Sequence, residues 1–178
     1  SVTFIYVGSG HFLFYKHAWY AFSMETVTTK NISETKKTAA RLAKNLVKVS
    51  KKGARVVGLV GELGAGKTTF VQGFAAALGI KEKVQSPTFV LMKVYPLVHK
   101  TLRHLVHIDC YRLDSPEELL HLGFKDILKD RDAIVLIEWA DKIQTILPHD
   151  TLWIRFSHGL NSRTRKLEFM NYEEIYPH

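Results

Sequence analysis

Residues 61 to 68 read Gly-Glu-Leu-Gly-Ala-Gly-Lys-Thr and fit the pattern G-x-x-x-x-G-K-[ST] at every defined position. No other stretch constrains the fold as much, because such a loop needs a strand before it and a helix after it. Both flanks are present. Arg55-Val56-Val57-Gly58-Leu59-Val60 is a short apolar, β-branched run of the kind that forms a buried strand. Thr68 to Leu78 reads as a helix, and Gly79 stands where a left-handed C-terminal cap belongs. The glycines let the backbone wrap a polyphosphate with its N–H groups facing inward, and the helix N-terminus adds positive potential. Gly64, Ala65, Gly66 and Thr69 are therefore candidate phosphate contacts. Lys67 is placed to reach the β- and γ-phosphates, and the Thr68 hydroxyl to meet Mg²⁺.

A chain of 178 residues predicts one domain with a sizeable core. Its one cysteine, Cys110, rules out an intramolecular disulfide within the chain and fits a reducing cytoplasm. No apolar run approaches the ~20 residues that cross a bilayer, so no membrane role is expected. The net charge of +8 is unevenly placed. Lys30, Lys36, Lys37, Arg41, Lys44, Lys48, Lys51, Lys52 and Arg55 form one cluster, and Arg163, Arg165 and Lys166 a second. Such surface suits nucleic acid or an acidic protein, although most charge runs are solvated helix faces.

Residues 1–23 differ from the rest. They hold eight of the chain's 20 aromatics and no acidic residue. Gly8, Gly10, His11 and Lys16 interrupt any signal-peptide core. The expectation is an N-terminal extension ahead of a native start at Met24. An added hairpin or an organellar presequence is the competing reading.

Residues 33–49 predict an amphipathic helix capped by Ser33, with Ala39, Leu42, Leu46 and Val49 on its apolar face. Strands are expected over 89–95 and 103–111, joined as a hairpin with a long loop. Ser115-Pro116-Glu117-Glu118 is a helix start with a capping box, and that helix should end near Gly123. A further buried strand, 133–137, precedes Glu138-Trp139. Residues 151–156 and 165–169 alternate like a final hairpin.

A phosphate loop needs a carboxylate near its metal and a group that orients water. In open α/β sheets these lie beyond the carboxyl ends of strands. His107-Ile108-Asp109-Cys110-Tyr111-Arg112 offers Asp109, which can hold Mg²⁺ or position the attacking water. Val135-Leu136-Ile137-Glu138 resembles a Walker B strand, and Glu138 can ligate the metal or act as general base. Trp139 can cover the nucleotide or simply pack. Thr88, fixed behind Pro87, stands where switch-like segments approach a γ-phosphate. His104 and His107, three apart on a strand, face opposite ways, which argues against zinc.

Together these segments resemble one family. Gly61 to Phe70, Ser86-Pro87-Thr88-Phe89, His107-Ile108-Asp109-Cys110-Tyr111-Arg112-Leu113, Pro116-Glu117-Glu118-Leu119, Leu122-Gly123-Phe124 and Ile137-Glu138-Trp139 occur in the order and spacing of the TsaE/YjeE family. That family is the ATPase of bacterial tRNA threonylcarbamoyladenosine biosynthesis. The resemblance spans roughly residues 29–169. It implies an α/β, single-domain P-loop NTPase-like fold with a mixed central sheet flanked by helices, occupying residues 24–178. It implies slow hydrolysis of ATP with Mg²⁺, in a complex with TsaD and TsaB subunits that carry the transfer to tRNA. By position, Lys67 and Thr68 take phosphate and metal roles, Asp109 and Glu138 metal or catalytic roles, and Trp139 lies near the nucleotide. Thr35 matches a region that approaches the base. Three features depart from the family: residues 1–23, Lys125 in a segment that is usually acidic, and Ala140-Asp141 after Glu138-Trp139. A small-molecule kinase and a nucleotide-controlled binding module remain the alternatives. The absence of N-K-x-D disfavours a GTPase.

Overall fold

The computed structural model describes residues 3–7, 11–15 and 26–170. Two of its strands are the apolar runs on either side of the loop motif. β4 (Arg55–Gly61) leads into the loop, and β7 (Ala133–Glu138) lies beside it, parallel and buried along its whole length. β6 (His104–Asp109) pairs with β7 in parallel on the far side. The register sets Leu59 opposite Glu138 and Glu138 opposite Asp109. Both carboxylates therefore stand in one row at the carboxyl ends of adjoining strands, two residues before the loop begins.

Antiparallel strands extend the sheet at both edges. β5 (Met92–Pro96) pairs with β6; on the opposite side β8 (Leu152–His158) runs parallel to β4, β9 (Arg165–Met170) returns along β8, and β3 (Thr26–Thr29) borders β9. The order is β3-β9-β8-β4-β7-β6-β5, a mixed sheet in an α/β fold. β1 (Thr3–Val7) and β2 (His11–Tyr15) form a separate antiparallel hairpin. The expected start at Met24 and residues 171–178 lie outside the described residues.

Alternation along each strand divides the core between the two faces of the sheet. Val57, Leu59, Leu105, Ile134 and Leu136 meet Leu42, Leu46, Phe70 and Phe74 from α1 (Ile32–Leu46) and α2 (Lys67–Ala77). Val56, Val60, Ile108, Val135 and Ile137 meet Leu119 and Phe124 from α3 (Pro116–His121) and α4 (Phe124–Lys129), with Ile143 and Trp153. α1 and α2 cross closely at Gly73, where a Cβ would fall 2.5 Å from Lys36 Cα.

Several expectations shift. Asn31, not Ser33, caps α1: its Oδ1 accepts from Glu34 N–H at 3.0 Å, while Glu34 Oε2 accepts from Lys30 N–H at 2.8 Å. Asn31-x-x-Glu34 is a capping-box pattern, and Ser33 has no acidic residue three positions on. The helix also stops at Leu46. Buried Arg55 donates to Leu46 O (3.1 Å), which a further helical turn would have used, and to Val49 O (3.0 Å) and Arg131 O (2.7 Å). Desolvation lowers the Arg55 pKa, and Asp132 opposes that shift. β5 starts at Met92 rather than Phe89, because its partner β6 ends at Asp109, whose N–H donates to Leu91 O at 2.9 Å. Residues 88–91 turn instead, with Leu91 at φ 61°. The capping box at Ser115 and the helix end before Gly123 follow the sequence pattern. β3, α4 and the 3-10 stretch Ala140–Ile146 carried no clear sequence signal.

Candidate nucleotide-binding site

The loop between β4 and α2 takes its shape from glycines at positive φ. Gly61 has φ 131°, and a Cβ there would lie 2.1 Å from Phe156 O. Gly66, at φ 101°, is the N-cap of α2 and turns the chain so that the helix N-terminus faces the cleft. Lys67, the first helical residue, is 4% exposed. Its Nζ donates to Gly61 O at 2.6 Å and Glu62 O at 2.8 Å, and lies 3.9 Å from the centre of the Trp139 ring. Desolvation lowers the Lys67 pKa, while Glu138, Asp109 and Asp141 pull it back up.

Thr68 Oγ1 donates to Glu138 Oε2 at 2.8 Å. The other Glu138 oxygen meets His107 Nε2 at 3.0 Å. Asp109 is held on both oxygens. Oδ1 accepts from Tyr111 N–H at 2.9 Å, and Oδ2 accepts from Thr88 Oγ1 at 2.8 Å and from Ser86 Oγ. Glu138 and Asp109 are each 3% exposed. Trp139 follows Glu138 with φ 58° and ψ 41°, a strained conformation for a bulky side chain. That turn brings the indole against Lys67 and within 5.2 Å of the Tyr111 ring. His104 pairs instead with Asp130 at 3.2 Å, so the two histidines engage different partners. Cys110 is buried; desolvation, reinforced by Asp109, pushes its thiol up to about 12.

The hydroxyl of Thr68 and the carboxylates of Glu138 and Asp109 are hard oxygen donors of the kind Mg²⁺ prefers. Among the described residues no group of three or more His, Cys, Asp or Glu is placed to hold a metal ion. Two carboxylates and a hydroxyl suit a cation whose remaining ligands are phosphate oxygens and water.

Two cavities meet over the loop. One, of about 340 Å³, is bounded by Lys67, Thr68, Thr88, Asp109, Glu138 and Trp139. The other, of about 490 Å³, is bounded by Asn31, Ser33, Thr35, Arg163 and Arg165. Gly64, Gly66 and Thr69 line both, while Ala65 is fully buried beneath. Thr35 belongs to the second cavity, its hydroxyl 2.8 Å from that of Thr29. Arg165 was legible only as part of a basic cluster. Its Nη2 donates to Gly64 O at 3.2 Å, and its Nη1 to Ser162 O and Thr164 O. The contact spans 101 positions of sequence. The one available signal was its place as the first residue of a predicted strand.

The family model described as threonylcarbamoyl adenosine biosynthesis protein TsaE matches residues 29–167. The tRNA threonylcarbamoyladenosine biosynthesis protein TsaE of Haemophilus influenzae is 37% identical over 127 residues, covering 71% of this chain and 78% of the relative. The protein of the same name from Bacillus subtilis is 40% identical over 126 residues, covering 71% and 73%. The crystal structure of Bacillus subtilis YdiB aligns with a TM-score of 0.67 at 32% identity, over 86% of this chain and 89% of that one. The chain belongs to the TsaE family of tRNA threonylcarbamoyladenosine biosynthesis proteins.

Proposed function

We propose that the chain binds ATP with Mg²⁺ and hydrolyses it slowly, as a subunit acting with TsaD and TsaB proteins in threonylcarbamoyladenosine modification of tRNA. One observation carries this reading: Thr68, Glu138 and Asp109 converge at the mouth of a phosphate loop whose lysine is already buried beside them. The triphosphate lies along Gly64, Gly66 and Thr69, with Lys67 exchanging its loop carbonyls for β- and γ-phosphate oxygens. The base occupies the cavity beside Thr35 and Arg165. Thr68 and Glu138 hold the Mg²⁺ corner, where the ion neutralises charge on the β- and γ-phosphates when bound. Asp109, tied to Thr88 and Ser86, orients the water. That water bonds to the γ-phosphorus, the bond to the β–γ bridging oxygen breaks, ADP leaves with the electron pair, and the water's proton passes to the released phosphate.

A kinase needs a lid that brings an arginine over the phosphates. Segment 113–137 is committed elsewhere. α3 and α4 bury Leu119 and Phe124 against the sheet, and Arg131 sits before β7, at the end of the strand opposite Glu138. Lys37, Arg41 and Lys44 on α1, with Lys48 just after it, are exposed and form the surface proposed for tRNA or partner contact.

Phosphate release is measured from ATP with the protein alone and with both partners. Release without an acceptor supports the ATPase. Strict dependence on a small acceptor replaces it with a kinase, and binding without turnover in the full mixture replaces it with a binding module. Glu138→Ala should lower turnover about 100-fold while ATP affinity changes about threefold or less. Equal losses in both would assign Glu138 to binding alone.

A further inference from the structure

His107 is a fully buried imidazole in a row of core residues. Leu105, two positions earlier on the same face of β6, packs in the core beneath α1 and α2. An apolar residue at 107 would continue that row without desolvating a ring nitrogen. The polar side chain has one partner among the described residues, Glu138 Oε1, at 3.0 Å from Nε2. Nδ1 has none. Register explains the meeting: His107 stands opposite Leu136, so Glu138 is two residues further along the neighbouring strand on the same face.

The hydrogen-bond pattern assigns the proton. An ionised carboxylate only accepts, so Nε2 carries the hydrogen. That bond fixes the orientation of Glu138. With Oε1 occupied, Oε2 alone is directed at Thr68 Oγ1, 2.8 Å away.

We infer that His107 is a positioning residue for the Mg²⁺ corner, holding Glu138 so that one oxygen faces Thr68. This rests on the ATP–Mg²⁺ reading given above. Partners of this kind, one bond behind a metal-binding carboxylate, change metal affinity or activity by about 10- to 100-fold when removed.

The test measures binding of a non-hydrolysable ATP analogue by equilibrium dialysis as Mg²⁺ is titrated, with thermal unfolding followed in parallel. His107→Leu should raise the half-saturating Mg²⁺ concentration about tenfold or more while metal-free binding stays unchanged. His107→Gln, whose amide keeps an N–H near the position of Nε2, should stay within about threefold of the parent. In a Glu138→Ala background His107→Leu should add nothing, since there is no carboxylate left to hold. Should His107→Leu fail to fold, His107→Asn, too short to reach Glu138, takes its place with the same expected rise. A folded His107→Leu protein with unmoved Mg²⁺ dependence overturns this role alone. A parent protein that binds the analogue equally with and without Mg²⁺ overturns the metal corner and this role together. Losses that add fully to those of Glu138→Ala would make His107 a packing residue only.

Discussion

The phosphate side of the cleft is assembled at the carboxyl ends of three parallel strands, whereas the other side is assembled from antiparallel strands at the sheet's edge. β4, β6 and β7 are buried and paired in register, so Glu138 and Asp109 at their carboxyl ends, and Lys67 at the start of the helix that follows β4, stand on the buried centre of the sheet. The Thr35–Arg165 side depends on β9 returning along β8 and on β3 pairing with β9, where Thr29 stands opposite Arg165. In the proposed reading, the first side meets charge developing during reaction and the second recognises what stays unchanged. The two should therefore fail differently when mutated: loss of turnover on one side, loss of affinity on the other.

Lys67→Ala gives the largest expected effect. In the proposed site it removes the buried cation assigned to the triphosphate, and turnover should fall by about 100-fold or more. Steady-state phosphate release at saturating ATP measures it. A mutant that keeps parental turnover once ATP is raised would mean that Lys67 only binds, and the contrast between the two sides would be lost.

Arg165→Ala should act the other way. Its Nη2 holds Gly64 O at 3.2 Å, and its stem borders the cavity assigned to the base. That bond pre-shapes the loop for the phosphates, so its loss should lower ATP affinity, by up to about tenfold for a charge-assisted bond of about 1.5 kcal/mol. Turnover at saturation should stay within about twofold, since no reacting atom is involved. Titration of ATP against initial rate separates the two. A fall in saturated turnover as large as the fall in affinity would join both sides into one unit.

The same contrast explains what could be read from sequence. The loop, its flanking strand and helix, Asp109 and Glu138 are visible because local pattern determines them: an apolar run, then glycines, or an apolar run, then a carboxylate. The mixed sheet flanked by helices was legible only through the resemblance that those motifs carry together. β3 was not, since Thr26-Val27-Thr28-Thr29 is too short and polar to announce a strand, and only pairing with β9 makes it one. α4 was hidden because six residues after Gly123 carry too little periodicity. Arg165 reaches Gly64 through two antiparallel pairings that no local motif encodes. Trp139 was legible as a neighbour of the site, but its left-handed turn was not, because nothing in the residue type favours it.

The smallest expected effect concerns the joint that supports the edge side. Thr29 and Thr35 are 1% and 2% exposed, and their hydroxyls share a hydrogen bond of 2.8 Å between β3 and α1. Thr35 Oγ1 also lies 3.3 Å from Asn31 O, and Thr29 Oγ1 3.5 Å from Arg165 O. The two side chains thus link the α1 cap to the start of β9. Replacing either with valine keeps the branching at Cβ but leaves the partner hydroxyl only its longer contact with a backbone carbonyl. Each single change should cost about 1 kcal/mol, because a buried hydroxyl loses its shorter hydrogen bond. The double change removes both hydroxyls together and should cost clearly less than the two singles combined. Chemical denaturation of the four proteins measures the cycle. Turnover at saturating ATP should be unchanged in all of them, because none of the lost contacts touches Lys67, Asp109 or Glu138. Strict additivity would mean that the backbone pairing of β3 with β9 alone carries this edge, and that the hydroxyl pair contributes nothing as a unit.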